Sequence, residues 1–140
     1  MSFPACDARR SEAALEDLWE IAARKKLSSA DAPGLIYVFR DEELWKAGRT
    51  NNVKRRIREW ERDCPAFDRE WIGWRWTPYA NRTEYLVHLA LERICVGRPR
   101  FQCNCGRVHV EKFDFGGAST SGELILSVIE MVIDFVLSKY

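Results

Sequence analysis

The sequence predicts an α+β fold: a small, mainly antiparallel central sheet flanked by helices, with added N- and C-terminal helices. Three observations predict it. Segments of strand character at 35–48, 70–76 and 108–115 alternate with segments of helical period at 53–62 and 82–95. The first of these, 35–48, reads as a β-hairpin folded at a short acidic turn, which makes the sheet antiparallel from its start. Two further apolar segments of helical period, 12–27 and 123–139, lie outside this core of about residues 34–115. At 140 residues the whole chain, 1–140, reads as a single domain, long enough to bury about two-thirds of its unfolded surface.

In the first helix Ser11 is the expected N-cap, and Ala14, Leu15, Leu18, Trp19, Ile21, Ala22 and Leu27 supply the apolar face. Residues 28–34, SSADAPG, form a loop by composition, with Pro33-Gly34 marking the entry to the β-branched and aromatic run Leu35 to Phe39. Asp41 and Glu42 make the turn, and Glu43 to Ala47 returns as a short strand ending at Gly48. Asn51 or Asn52 then caps a helix that turns Val53, Ile57 and Trp60 inward and Arg55, Arg58, Glu59 and Arg62 toward water, with Arg56 ambiguous. Pro65 stops it. In the next strand the alternation puts Trp71, Gly73 and Arg75 on one face and Ile72, Trp74 and Trp76 on the other. The helix at 82–95 ends before Gly97 and Pro99, and a cysteine-containing loop leads to the last strand. The final helix is apolar around most of its circumference, so it is either deeply packed or pairs with a second copy, a route to a homo-oligomer.

Composition narrows the function classes. Hydrophobic residues at 46% and charged residues at 31% are ordinary for a folded globular domain and argue against disorder. A net charge of +1 makes the whole molecule no electrostatic magnet for nucleic acid, so any binding face must be local. One such run exists: Lys46, Arg49, Lys54, Arg55, Arg56 and Arg58 fall within 13 residues with no acid among them. It is either a solvated helix face or a phosphate-binding one. The N-terminus lacks an apolar signal-peptide core, and Leu124 to Leu137 is interrupted by Glu130 and Asp134. Neither a secretory signal nor a membrane span is therefore expected, which predicts an intracellular location, nucleus or cytoplasm. In that setting Cys6, Cys64, Cys95, Cys103 and Cys105 read as thiols or metal ligands more readily than as disulfides.

The order of motifs is more specific. Leu35-Ile36-Tyr37 is followed eleven residues after Tyr37 by Gly48 in Lys46-Ala47-Gly48, then by Arg56 eight residues on and by Trp60, and Glu84 and His88 stand four apart on the second core helix. This resembles the GIY-YIG nuclease superfamily. It is most similar to the branch named for a bacteriophage DNA-binding open reading frame, in which Lys-x-Gly replaces Tyr-x-Gly and the second helix carries Glu-x-x-x-His. Glu111-Lys112-Phe113 matches the Glu-x-Phe of that branch's last strand, and Cys103, Cys105 and His109 match a Cys-x-Cys-x-x-x-His loop of fungal-like members.

The resemblance implies a GIY-YIG-type DNA endonuclease in which Tyr37, Lys46, Arg56, Glu84 and His88 are catalytic and Glu84 holds Mg2+ or Mn2+. Phosphodiester hydrolysis needs an activated water and positive charge where the phosphorane develops, which Arg56 and a metal on Glu84 would supply. Arg49, Lys54, Arg55 and Arg58 would bind the DNA backbone. Each has a plainer reading: Tyr37 as a core aromatic, Lys46 as an exposed strand lysine, Arg56 and Glu84 as surface charge, His88 as a packed core histidine. The sequence departs from the family at Leu35, Lys46 and Trp60, where a glycine, a tyrosine and a histidine are usual. The general base is therefore open, and two alternatives stand beside the endonuclease: a DNA-binding module that has lost cleavage, and an oligomeric interaction domain.

A second group, Cys103, Cys105 and His109 with Cys64, offers four ligands suited to tetrahedral, structural Zn2+. His88 and Cys95 are the substitutes for Cys64. Free buried thiols and redox chemistry are the competing readings.

Overall fold

The computed structural model describes residues 6–7, 9–99, 101–102, 108–109, 112–116 and 120–140. Its centre is a four-stranded antiparallel sheet of β2 (Gly34–Asp41), β3 (Leu44–Thr50), β4 (Glu70–Thr77) and β8 (Lys112–Asp114), in the spatial order β4-β2-β3-β8. The α+β class and the antiparallel sheet expected from the sequence are both present. Helix α1 (Glu12–Arg24) precedes the hairpin, α2 (Val53–Asp63) links β3 to β4, α3 (Ala80–Ile94) follows β4, and α4 (Gly122–Lys139) closes the chain. Two small ladders pair β1 (Cys6–Asp7) with β5 (Arg98–Pro99) and β6 (Phe101–Gln102) with β7 (Val108–His109). The segment expected as one strand over 108–115 is thus two, β7 and β8, which belong to different ladders.

The pleat sorts each strand between two cores. Ile36, Val38, Trp45, Ala47 and Phe113 face α3, α4 and α1, where they join Leu15, Leu86, Leu89, Ile125 and Ile129 in the larger core. Tyr37 and Phe39 face the opposite way, toward α2, and pack with Trp60, Cys64 and Trp71. From α4, Ile125, Ile129, Val132, Ile133 and Val136 are buried, each contributing roughly 1.5–3 kcal/mol of apolar burial. Leu124, Met131 and Leu137 of the same helix are exposed.

Local signals act as expected at several ends. The Ser11 hydroxyl accepts from the Ala14 amide and starts α1, and the Asn52 side chain accepts from the Arg55 amide and starts α2. The hairpin runs longer than expected: β3 continues through Gly48 to Thr50, after a turn in which Glu42 takes the left-handed conformation, φ 55°. Helix α1 ends at Arg24 instead of residue 27 because Lys25 adopts extended backbone, and Ile21, expected on the apolar face, is exposed.

Two differences have longer-range causes. Helix α3 begins at Ala80, two residues before the expected start, and no side chain of its own caps it. Instead the Asp31 carboxylate, in the loop before β2, accepts from the amides of Asn81 (2.9 Å) and Arg82 (3.0 Å). In β4 the alternation breaks. The β2–β4 register shifts between Val38, opposite Gly73, and Phe39, opposite Trp71, so Ile72 is the extra residue of a β-bulge. Ile72 therefore joins Gly73 and Arg75 on the α4 side, where it packs into the larger core. Trp71 moves to the α2 side, the face of Trp74 and Trp76, and packs on Tyr37 and Phe39.

Candidate nucleic-acid interface

The cleft lies on the α2 side of the sheet and is built by the hairpin register. Tyr37 stands directly opposite Gly48 in the β2–β3 ladder, and Phe39 opposite Lys46. A side chain at position 48 would occupy the space of the Tyr37 ring, with a Cβ only 2.5 Å from the ring's Cζ. Glycine is required there by that close approach. Around the pair lies an open cleft of about 340 Å³ lined by Tyr37, Lys46, Gly48, Arg49, Thr50, Asn51, Arg55, Arg56, Glu59 and Glu84.

Of the residues singled out from the sequence, Tyr37, Lys46, Arg56 and Glu84 share this cleft, together with Arg49 and Arg55. Tyr37 is buried, with its hydroxyl accepting from Arg56 Nε at 3.3 Å and from Trp60 Nε1 at 3.1 Å. Both lone pairs of the phenolic oxygen are thereby used, and its own proton is left to donate. Trp60 serves as a donor that cannot change protonation state. Burial disfavours the Arg56 charge, but Tyr37 and Glu59, whose carboxylate lies 3.0 Å from Arg56 Nη1, outweigh it and hold the guanidinium above its ordinary pKa. Arg56 is thus a permanent, oriented cation at the cleft floor.

Glu84, on α3, faces it and is ion-paired with Arg49 at 2.6 Å. The cleft lining therefore carries Lys46, Arg49, Arg55 and Arg56 against Glu59 and Glu84. It opens on the Asn52-capped end of α2, whose first turn contains no acid, an arrangement that favours an anion. His88 is not among the lining residues. Its Nε2 lies 2.7 Å from the Ala47 carbonyl oxygen, on the α3 side of the sheet, and its ring packs beside Phe113. Lys54 and Arg58 are exposed on α2, outside the lining.

Beneath the cleft runs a buried charge network that the sequence reading did not anticipate. Asp41 accepts from Arg69 Nε (2.8 Å) and from Lys112 Nζ (3.0 Å), and the Arg69 guanidinium lies over the rings of Phe39 and Trp60. Burial raises the Asp41 pKa, yet the two cations outweigh it and keep the carboxylate below its usual range. Arg69 also donates to the Cys64 carbonyl at 2.7 Å, fixing the end of α2 against the sheet. The sequence marks Asp41 as a turn residue and nothing singles out Arg69. Their pairing is non-local and leaves no local pattern. Glu59, expected to face water on the basic helix, instead lines the cleft and pairs with Arg56.

For metal, the described residues contain no group of three His, Cys, Asp or Glu side chains placed to hold an ion. Glu84 brings a single carboxylate, a donor set that fits Mg2+ only when substrate oxygens and waters complete it. Of the zinc ligands expected, Cys103 and Cys105 lie outside the described residues, and His109 lies in β7 opposite Phe101. Cys64 is buried in the aromatic cluster behind α2. Cys95 is also buried, its thiol donating to the Glu92 carbonyl at 3.2 Å, and burial, aided by Glu92, raises its pKa.

No helix among the described residues is long and apolar enough to cross a membrane. Residues 34–135, well over half of the chain, match the family model of the T5orf172 domain. The match contains the whole cleft and extends past residue 115 to take in most of α4. No curated protein and no solved structure matches the chain.

Proposed function

The chain belongs to the T5orf172 domain family, and on that premise we propose that its cleft binds the DNA backbone and hydrolyses a phosphodiester with one divalent cation held by Glu84. The observation that carries this reading is the meeting of Arg56, anchored on the Tyr37 hydroxyl, with Glu84 in one cleft whose cations outnumber its carboxylates. Hydrolysis joins a water oxygen to phosphorus and releases a sugar oxygen, while a proton leaves the water and another reaches the leaving group. Arg56 would stabilise the charge that gathers on the non-bridging oxygens. Tyr37, its lone pairs occupied, would donate to a phosphate oxygen or orient the attacking water. Lys46, beside them, would act as a cation or, if deprotonated, as the base. Bound at Glu84, Mg2+ or Mn2+ would supply further charge and an acidified water. Arg49 must then leave Glu84, and a phosphate is the partner chemically suited to receive it.

That same ion pair favours a second reading, a DNA-binding module without cleavage, in which Arg49 takes the place of the cation on Glu84. Nicking of supercoiled plasmid in Mg2+ or Mn2+ decides between the two. The endonuclease reading expects nicking by the wild type and loss of it in Arg56→Ala and Glu84→Ala. Nicking by all three indicates a contaminant, and nicking by none, with binding retained, leaves the module. DNA binding itself is checked by its salt dependence: affinity should fall steeply between low and physiological ionic strength, and the slope should shrink by about one in Arg56→Ala.

A further inference from the structure

The α2 face of the sheet does not end at the cleft. Two rows run across three strands: Trp74 on β4, Tyr37 on β2 and Gly48 on β3 stand opposite one another, and so do Trp76, Leu35 and Thr50. Tyr37, Gly48 and Thr50 line the cleft. Trp74 and Trp76 continue the same surface onto the edge strand β4, beyond Trp71, and they are 45% and 59% exposed. Two adjacent exposed tryptophans on one strand face are unusual, because an indole left in water forfeits a large burial energy. The bulge at Ile72 is what brings Trp71 onto this face and under cover while leaving the other two uncovered.

We propose that Trp74 and Trp76 form a stacking platform for unpaired nucleobases of a DNA strand whose phosphates lie in the neighbouring cleft. The proposal rests on the cleft's reading as a DNA-backbone site and adds to it a preference for single-stranded or locally opened DNA. Three features favour that occupant. The platform borders a cleft in which Arg49, Arg55 and Arg56 supply the charge a polynucleotide backbone requires. Strands lie about 4.8 Å apart, so the platform begins about 10 Å from Gly48, within reach of a base attached to a phosphate held in the cleft. Residues two apart on a strand are separated by about 6.6 Å, close to twice the ~3.4 Å stacking distance of bases. Paired bases in a duplex present no face to such a surface, so the platform discriminates between opened and closed DNA.

The test compares a fluorescein-labelled oligothymidylate of about 15 nucleotides with a duplex of equal length, by anisotropy at fixed salt. The proteins are the wild-type chain, Trp74→Ala/Trp76→Ala, Trp74→Phe/Trp76→Phe and Arg56→Ala, with melting curves confirming that each is folded. The alanine pair should weaken oligothymidylate binding by at least about tenfold and leave the duplex within about twofold. The phenylalanine pair, which keeps a ring for stacking, should recover most of the loss, and Arg56→Ala should weaken both probes. Unchanged oligothymidylate binding in the alanine pair overturns the platform while leaving the cleft reading intact, as does an equal loss on both probes. A change in self-association without a change in DNA binding assigns the face to protein contact and overturns it too. A wild-type chain that binds neither probe removes both readings.

Discussion

Replacing Gly48 by alanine isolates the contact on which the cleft is built. The new Cβ would fall closest to the Tyr37 hydroxyl, 2.5 Å from Cζ and 3.0 Å from Cε1. Carbon atoms rest at about 3.5–4.0 Å, so the ring must retreat by roughly an ångström. It has little freedom to do so. Phe39 stacks at 6.3 Å, Trp71 packs at 5.5 Å, and the hydroxyl is tied to Arg56 and Trp60. Overpacking of this kind costs about 1–3 kcal/mol, and each of the two hydrogen bonds that the displaced hydroxyl loses is worth about 1 kcal/mol net. A destabilisation of about 3–5 kcal/mol is expected, equivalent to a melting temperature lower by about 9–15 °C for a domain of this size. Urea unfolding of wild type, Gly48→Ala, Tyr37→Phe and the double variant measures it. Removing the hydroxyl removes the atom nearest the new methyl, so Gly48→Ala should cost less in the Tyr37→Phe background, by at least about 0.5 kcal/mol. A loss below about 0.5 kcal/mol for Gly48→Ala alone, in the range of an ordinary surface substitution, would refute the account of why this position is glycine.

Two further measurements address other parts of the molecule. Glu92 is 2% exposed and binds Arg10 and Arg98; burial raises its pKa, but Arg10 and then Arg98 bring it down to about 2 from 4.5. Because the folded-state value is depressed, the contribution is full above about pH 4.5 and disappears as pH falls toward about 2. Its ceiling is about 3 kcal/mol, lowered by the half-exposed Arg10. The stability gap between wild type and Glu92→Gln should therefore be constant from neutral pH to about 4.5 and close below it; a gap independent of pH down to about 2.5 would show that the carboxylate's charge is not its source. For the cysteine loop, protein purified without added metal should carry close to one equivalent of zinc, bound through Cys103, Cys105 and His109 with Cys64 as the fourth ligand. Less than about half an equivalent, or equal content in Cys103→Ser/Cys105→Ser, would count against such a site.

What could be read from the sequence depended on whether its cause was local. The hairpin, the Ser11 and Asn52 caps and the inward-facing Trp60 rest on neighbouring residues, and they lie where the pattern placed them. The spacing of Tyr37 and Gly48 was visible as a motif, but its reason, a ring lying over a missing side chain, is a cross-strand fact. Strict alternation misassigned Trp71 and Ile72 because a single bulged residue exchanges the faces of those that precede it. The start of α3 was missed because its cap lies about fifty residues earlier in the chain. The Asp41–Arg69–Lys112 network was missed because three charges scattered over different elements look solvated until the fold joins them.

The cap supplied by Asp31 bears on where the functional unit begins. The family match starts at Gly34, three residues after it, so a fragment cut at the match boundary would contain every residue lining the cleft and lack the carboxylate that secures the first turn of α3. Glu84 lies on that helix, within one turn of the two amides that Asp31 holds. Residues outside the matched segment therefore help to set the geometry within it. The matched segment and the set of residues that hold its cleft in place have different left-hand edges.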